Sequence, residues 1–313
     1  FFLVYEIEKL NLSFKLNAYK KNIDKERFEQ LINTESLIMS TLKPYFLIAI
    51  CLLFVISTPS FAQRTNYGEF SIHKELNTVG YNFWLYTPND YEPNGHPLPL
   101  VIFLHGASLC GNNIQKVRRY GVLDAIDKGK IIPTLVVAPQ NPGGAWNAHK
   151  LNDLLEWMKK NYKVDDTRVY VLGMSLGGYG TMDFVGAYPE KIAAAMALCG
   201  GCSLRDVSPL GKVPLWIMHG TADRAVSVKQ SQIVVEKLQE RGNDKLLRYD
   251  WLQGGSHGIL ARLFYLQKTY DWLFSHSLQD NPRTIDKHFD ITPEDIQQTY
   301  QELRQLPQYY EED

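Results

Sequence analysis

Six short, mostly apolar runs, separated by longer connections, several of helical character, constrain this chain more than any other feature. They are Leu98 to Leu104, Thr134 to Ala138, Arg168 to Leu172, Ala193 to Leu198, Val213 to Met218 and Leu246 to Trp251. Near-continuous apolar character marks strands buried on both faces, which is how parallel strands sit in a sheet. Helical spacing fills several of the gaps: Leu151, Leu154, Leu155 and Met158 recur along one face, Val228 to Leu238 is amphipathic, and Leu176 to Tyr188 reads as helix. Two more helical stretches are expected at Lys116 to Asp127 and Ala261 to Phe274. Strands alternating with helices in this way predict an α/β fold, a mostly parallel central sheet with helices on both faces. Two further strand-like runs, Phe70 to Leu76 and Tyr81 to Tyr86, open the domain around a Val79-Gly80 turn. An apolar content of 45% is ample for the core such a sheet requires.

Both ends of the chain read differently from this middle. Met39 is followed by Lys43, an apolar run from Tyr45 to Ile56, and small residues at Ser60 and Ala62. That sequence of charge, short apolar core and small-residue exit predicts a secretory signal peptide over residues 39–62. Residues 1–38 are then expected to be a non-native upstream extension, and Gln63 the first mature residue. The apolar run is shorter than the roughly 20 residues a membrane span needs, so no stable membrane insertion is expected after cleavage. The α/β domain is assigned to residues 63–277, and 278–313 to a tail carrying a docked helix. Thr292 and Pro293 mark the start of that helix, with Ile296, Tyr300 and Leu303 as its apolar stripe.

A net charge of −1, with acidic and basic residues scattered, argues against nucleic acid or an anionic membrane surface as a partner. Of the four cysteines, Cys110, Cys199 and Cys202 lie beyond the leader, in a chain expected to be exported to the periplasm or the medium. Cys199 and Cys202 are close enough to pair or to share a metal. A single C-x-x-C is a weak metal signal, and the favoured reading is small residues packed at a strand end. No metal or cofactor is expected. The oligomeric state is left open.

Gly173-Met174-Ser175-Leu176-Gly177 fits the pattern G-x-S-x-G, in which a serine is held on a sharp turn between a strand and a helix. A serine hydroxyl is a poor nucleophile without a base, so a histidine and an orienting acid must follow. Asp223 leaves the Val213 to Met218 strand in His219-Gly220-Thr221-Ala222-Asp223, and His257 leaves the next in Gly254-Gly255-Ser256-His257. Asp206 precedes the strand that should deliver the acid and ranks second, while Asp183 comes too early. His219 competes with His257 and is expected to support the acid loop instead. An oxyanion hole needs two backbone N–H groups. Leu176 would supply one, and the loop after Leu104 the other, from Ala107 or alternatively Ser108. Gln140 and Trp146, on the loop after the Thr134 to Ala138 strand, are candidate substrate-binding residues, and Trp146 is equally readable as loop packing.

His105-Gly106, Ala138-Pro139-Gln140 with Trp146, the Gly173 to Gly177 turn and His219 to Asp223 together resemble secreted α/β-hydrolases. The similar groups are feruloyl-esterase, polyhydroxybutyrate-depolymerase and dienelactone-hydrolase-like enzymes, some of them known as peptidase or phospholipase/carboxylesterase-like. The resemblance spans Phe70 to Phe274 and implies the α/β-hydrolase fold and a Ser-His-Asp triad of Ser175, His257 and Asp223. It further implies a serine esterase acting through an acyl-enzyme on small-molecule or polysaccharide-linked esters, acyl or feruloyl groups on plant polysaccharide among them. Ala107-Ser108-Leu109-Cys110-Gly111 departs from the glycine run of many lipases. The segment between Leu198 and Val213 is short, so no large cap domain is expected. A serine peptidase on the same fold, a non-catalytic hydrolase-fold binding protein, and a thiol–disulfide role for Cys199 and Cys202 stand as alternatives.

Overall fold

The computed structural model describes residues 63–64, 67–76, 78–301 and 303. The expected leader and upstream extension lie outside the described residues. Nine strands form one sheet: β1 Gln63–Arg64, β2 Gly68–His73, β3 Asn82–Pro88, β4 Leu98–Leu104, β5 Leu135–Gln140, β6 Val164–Met174, β7 Ala194–Leu198, β8 Leu215–Gly220 and β9 Leu247–Leu252. Their order is β1-β2-β3-β5-β4-β6-β7-β8-β9. β1, β2 and β3 pair antiparallel at one edge, and the strands from β5 to β9 run parallel to one another.

The periodicity of β4 explains how the sheet is covered. Val101 and Phe103 face one apolar cluster, and Leu100, Ile102 and Leu104 the other, as a period of two requires. On the first face pack helices α1 Val122–Asp127 and α5 Gln267–Phe274. On the second lie α2 Ala148–Asn161, α3 Leu176–Ala187 and α4 Lys229–Glu240. Leu151, Leu154, Leu155 and Met158 are the fully buried stripe of α2. Each such side chain contributes about 1.5–3 kcal/mol by leaving water. A short helix α6 Pro293–Gln298 begins in a reciprocal cap, Thr292 with Asp295, and buries Ile296. Among the described residues no helix is long and apolar enough to cross a membrane.

Two predicted helices are each broken in two. The stretch from Lys116 to Asp127 is a 3₁₀ helix, Ile114–Arg118, then α1. The break falls at Gly121, whose φ of +97° no ordinary L-residue adopts cheaply. A Cβ there would stand 2.1 Å from the Phe103 ring. Gly121→Ala should therefore destabilise the protein by about 2–5 kcal/mol through strain and overpacking together. Differential scanning fluorimetry should show a Tm lowered by roughly 5–15 °C, and an unchanged Tm would refute the account. The stretch from Ala261 to Phe274 is likewise a 3₁₀ helix, Gly258–Tyr265, then α5, divided at the extended Leu266. Tyr265 donates its hydroxyl to Asp124 on α1 at 2.5 Å, which ties the first piece to that helix.

Topology locates the site. From β4 the chain steps to β5 on one side, and β6 then returns to the other side of β4. A crevice opens outside the carboxyl ends of strands where the order reverses in this way. Leu104 of β4 is level with Gly173 of β6, so His105-Gly106 and Ser175 emerge side by side.

Candidate active site

Ser175 occupies the turn between β6 and α3 with φ 58° and ψ −120°. A non-glycine residue held there stores about 1–3 kcal/mol of strain, sustained by its surroundings. Its N–H donates to Leu198 O at 2.8 Å, anchoring the turn to β7. The flanking glycines are needed for packing. A Cβ on Gly173 would meet Gly177 O at 2.3 Å, and one on Gly177 would meet Leu104 O at 1.8 Å. Strand, turn and helix can close this tightly only without those side chains.

Asp223 and His257 arrive on the loops after β8 and β9. His257 Nδ1 and Asp223 Oδ2 are 2.6 Å apart, the carboxylate fully buried and the imidazole one-quarter exposed. The other carboxylate oxygen, Oδ1, accepts the N–H groups of Ala225 and Val226, both at 2.8 Å. Burial pushes the Asp223 pKa upward, but the bonds from His257, Val226 and Ala225 outweigh it and hold the carboxyl below its usual value. Ser175 and His257 share no hydrogen bond among the described residues. A nucleophile–base contact of this kind commonly tightens only in the substrate complex.

His219 is fully buried behind the acid. Its Nε2 faces Val226 O at 2.9 Å and Asp223 Oδ2 at 3.2 Å, and its Nδ1 faces Ser231 Oγ at 2.8 Å. It braces the loop rather than reaching the crevice, and burial keeps its pKa low. Asp206 is an exposed partner of Arg241 and Ser208, and Asp183 accepts from Ser203 N–H and the Cys202 thiol. Cys199 and Cys202 are both free. Cys199, at φ +37°, directs its thiol within 4.8 Å of an Asp223 carboxylate oxygen and a His257 ring nitrogen. Burial raises that thiol far above its ordinary pKa and leaves it a neutral packing group.

The loop after β4 is held from beneath. Asn141 N–H donates to His105 Nε2 at 3.0 Å, so the ring proton sits on Nδ1 and is given to Gly106 O at 2.8 Å. Burial lowers the His105 pKa to about 4, so the ring stays neutral. Trp146 Nε1 donates to His105 O at 3.3 Å, and Gln140 Nε2 to Leu109 O at 2.6 Å. These two side chains, the candidate substrate-binding residues, are 5% and 4% exposed. The Trp146 N–H and the Gln140 amide nitrogen are used on the loop, while Gln140 Oε1 has no partner among the described residues and Gln140 lines a pocket with Tyr81, Gly111 and Pro142. Ala107 opens a 3₁₀ helix, Ala107–Leu109, and Leu176 opens α3. Neither N–H has a protein acceptor among the described residues, as expected of first-turn donors. Gly106 N–H donates to the Tyr120 hydroxyl at 2.9 Å, a contact between loops that no sequence spacing announces.

A strained serine at the switch point, a buried carboxylate bonded to a histidine, and two free N–H groups on a parallel sheet describe an α/β-hydrolase. The chain belongs to an esterase family, described as “Putative esterase”, whose model matches residues 80–246, just over half its length. It is 30% identical over 178 residues to a bifunctional acetylxylan esterase/xylanase of Neocallimastix patriciarum, covering 54% of this chain and 25% of that protein. It is 24% identical over 168 residues to acetylxylan esterase A of Aspergillus ficuum, covering 48% of this chain and 50% of that one. The chain thus spans between a quarter and half of these relatives. A crystal structure of a thermostable esterase matches with a TM-score of 0.54 and 27% identity, over 66% of this chain and 63% of that one.

Proposed function

We propose that this esterase is an exported serine enzyme that removes acetyl or feruloyl groups from plant-type polysaccharide through a Ser175-His257-Asp223 triad. The 2.6 Å bond between His257 and a fully buried Asp223, on the loops beside Ser175, carries the reading. His257 Nε2 takes the Ser175 proton as Oγ attacks the ester carbonyl carbon. The N–H groups of Ala107 and Leu176 stabilise the oxyanion, each being worth about 3–4 kcal/mol in the transition state. The tetrahedral intermediate collapses, His257 returns the proton to the departing sugar hydroxyl, and an acyl-enzyme remains on Ser175. Water, deprotonated by His257, attacks the acyl carbon and releases the acid and free serine. Asp223 stays ionised throughout and holds the imidazolium.

The acetylxylan-esterase relatives support a carbohydrate-borne substrate. So does the β7–β8 connection, where only the 3₁₀ helix Ser208–Lys212 stands in the place of a cap. Export rests on the leader pattern of residues 39–62. The deciding experiment compares acetate release from acetylated xylan, ferulate release from methyl ferulate and hydrolysis of p-nitrophenyl esters of increasing length. The expected order places short acyl groups first and the polymer among the substrates. Activity confined to long-chain esters or to peptides would overturn the substrate reading.

A further inference from the structure

The Tyr120 hydroxyl has no part in the chemistry just described, yet it lies against the parts that do. It accepts Gly106 N–H at 2.9 Å. Gly106 directly precedes Ala107 in the chain. A Cβ built on Gly106 would stand 2.8 Å from the Tyr120 oxygen and 3.3 Å from Ser175 Cβ, so all three groups converge on one point. The ring itself is fixed. Phe103 of β4 meets it edge-on at 6.5 Å, and Phe264, from the 3₁₀ helix that follows His257, at 6.3 Å. Burial raises the phenol's pKa, so the hydroxyl keeps its proton while it accepts from Gly106.

We propose that Tyr120 is a positioning residue of this esterase: by clamping Gly106 it aims the neighbouring Ala107 N–H at the developing oxyanion. This rests on the Ser175 and Ala107 assignments above. A loop with one free donor beside an unclamped neighbour could swing that donor away from the oxyanion. A misplacement of about 1 Å in such a group costs on the order of 100-fold in rate. The Gly106 N–H, by contrast, is spent on Tyr120 and is unavailable to the substrate.

Tyr120→Phe deletes one oxygen and keeps the ring contacts. It should be compared with the wild type and Ser175→Ala on p-nitrophenyl acetate. We expect kcat to fall about 10- to 100-fold with KM changed less than about threefold. Affinity for phenylboronic acid, whose tetrahedral serine adduct mimics the intermediate, should fall in step with kcat/KM. A purely structural role would lower Tm and the active fraction without that parallel loss. Wild-type kcat in Tyr120→Phe, or a lowered kcat with full boronate affinity, overturns the proposal. Should Tyr120→Phe fail to fold, Phe264→Leu loosens the ring that holds the Tyr120 hydroxyl against Gly106 and keeps every hydrogen-bonding group. It should show the same joint fall in kcat and boronate affinity, and an unchanged kcat would refute the clamp. Full activity in Ser175→Ala would instead mean that the underlying serine mechanism is wrong.

Discussion

Ser175→Ala is expected to lower turnover of p-nitrophenyl acetate by roughly a million-fold, to little above the background of hydrolysis supported by binding and oxyanion donors alone. The size of the effect follows from the role proposed for the hydroxyl. Without Oγ no acyl-enzyme forms, and the reaction reverts to direct attack by water at a site shaped for a covalent step. Because serine and histidine act as one unit, Ser175→Ala combined with His257→Ala should be hardly slower than Ser175→Ala alone. The fold should survive. Alanine retains the Cβ, so the φ of 58° and its strain persist, and the bond from residue 175 N–H to Leu198 O remains. Ser175→Gly should be equally inactive yet more stable by about 1 kcal/mol or more, since glycine adopts that φ without cost. Steady-state kinetics and a thermal melt on the three proteins check both halves. Ester hydrolysis undiminished in Ser175→Ala would remove the triad from the account.

The sheet was legible because both-face burial writes an unambiguous pattern. Leu98 to Leu104 is β4 to the residue, and the Val213 to Met218 run appears two positions later as β8. The two broken helices were not legible, for a reason that periodicity cannot carry. Gly121 sits within an otherwise helical stretch, and what forces the break is Phe103, 18 residues earlier, packed where a side chain would stand. The same division runs through the site. Ser175, Asp223 and His257 lie on strand-exit loops in a readable order, and the structure joins the last two by a hydrogen bond. Gln140 ends β5 instead of lying on the loop after it, and Gln140 Nε2 and Trp146 Nε1 turn to the carbonyls of Leu109 and His105. Direction of a side chain depends on which loop lies above it, and loops leave no period. Tyr120 reaches the site purely through tertiary contact and stands in no motif, and the C-x-x-C pattern of Cys199 does not announce its approach to Asp223 and His257.

Asp223→Asn should lower kcat/KM for the same ester by about 10,000-fold while leaving the serine, histidine and both N–H donors in place. The carboxylate has no proton to give, so it obliges His257 to carry its own on Nδ1 and leave Nε2 open to receive the Ser175 proton. In the variant, the N–H groups of Ala225 and Val226 claim the amide oxygen, which turns the amide NH₂ toward His257. The imidazole then presents a bare Nδ1 to that donor and places its proton on Nε2, where a base is needed. The sign of the pH effect on stability follows from the lowered carboxyl. Asp223 contributes stability in full above its unfolded value of about 3.8, and loses it as pH falls through the lower folded value. Wild type and Asp223→Asn should therefore differ most in denaturant midpoint near neutral pH and converge below about pH 4. A gap that widened on acidification would mean the carboxylate is a burden on the fold. A variant with near-normal kcat/KM would mean that His257 takes its orientation from some group other than Asp223.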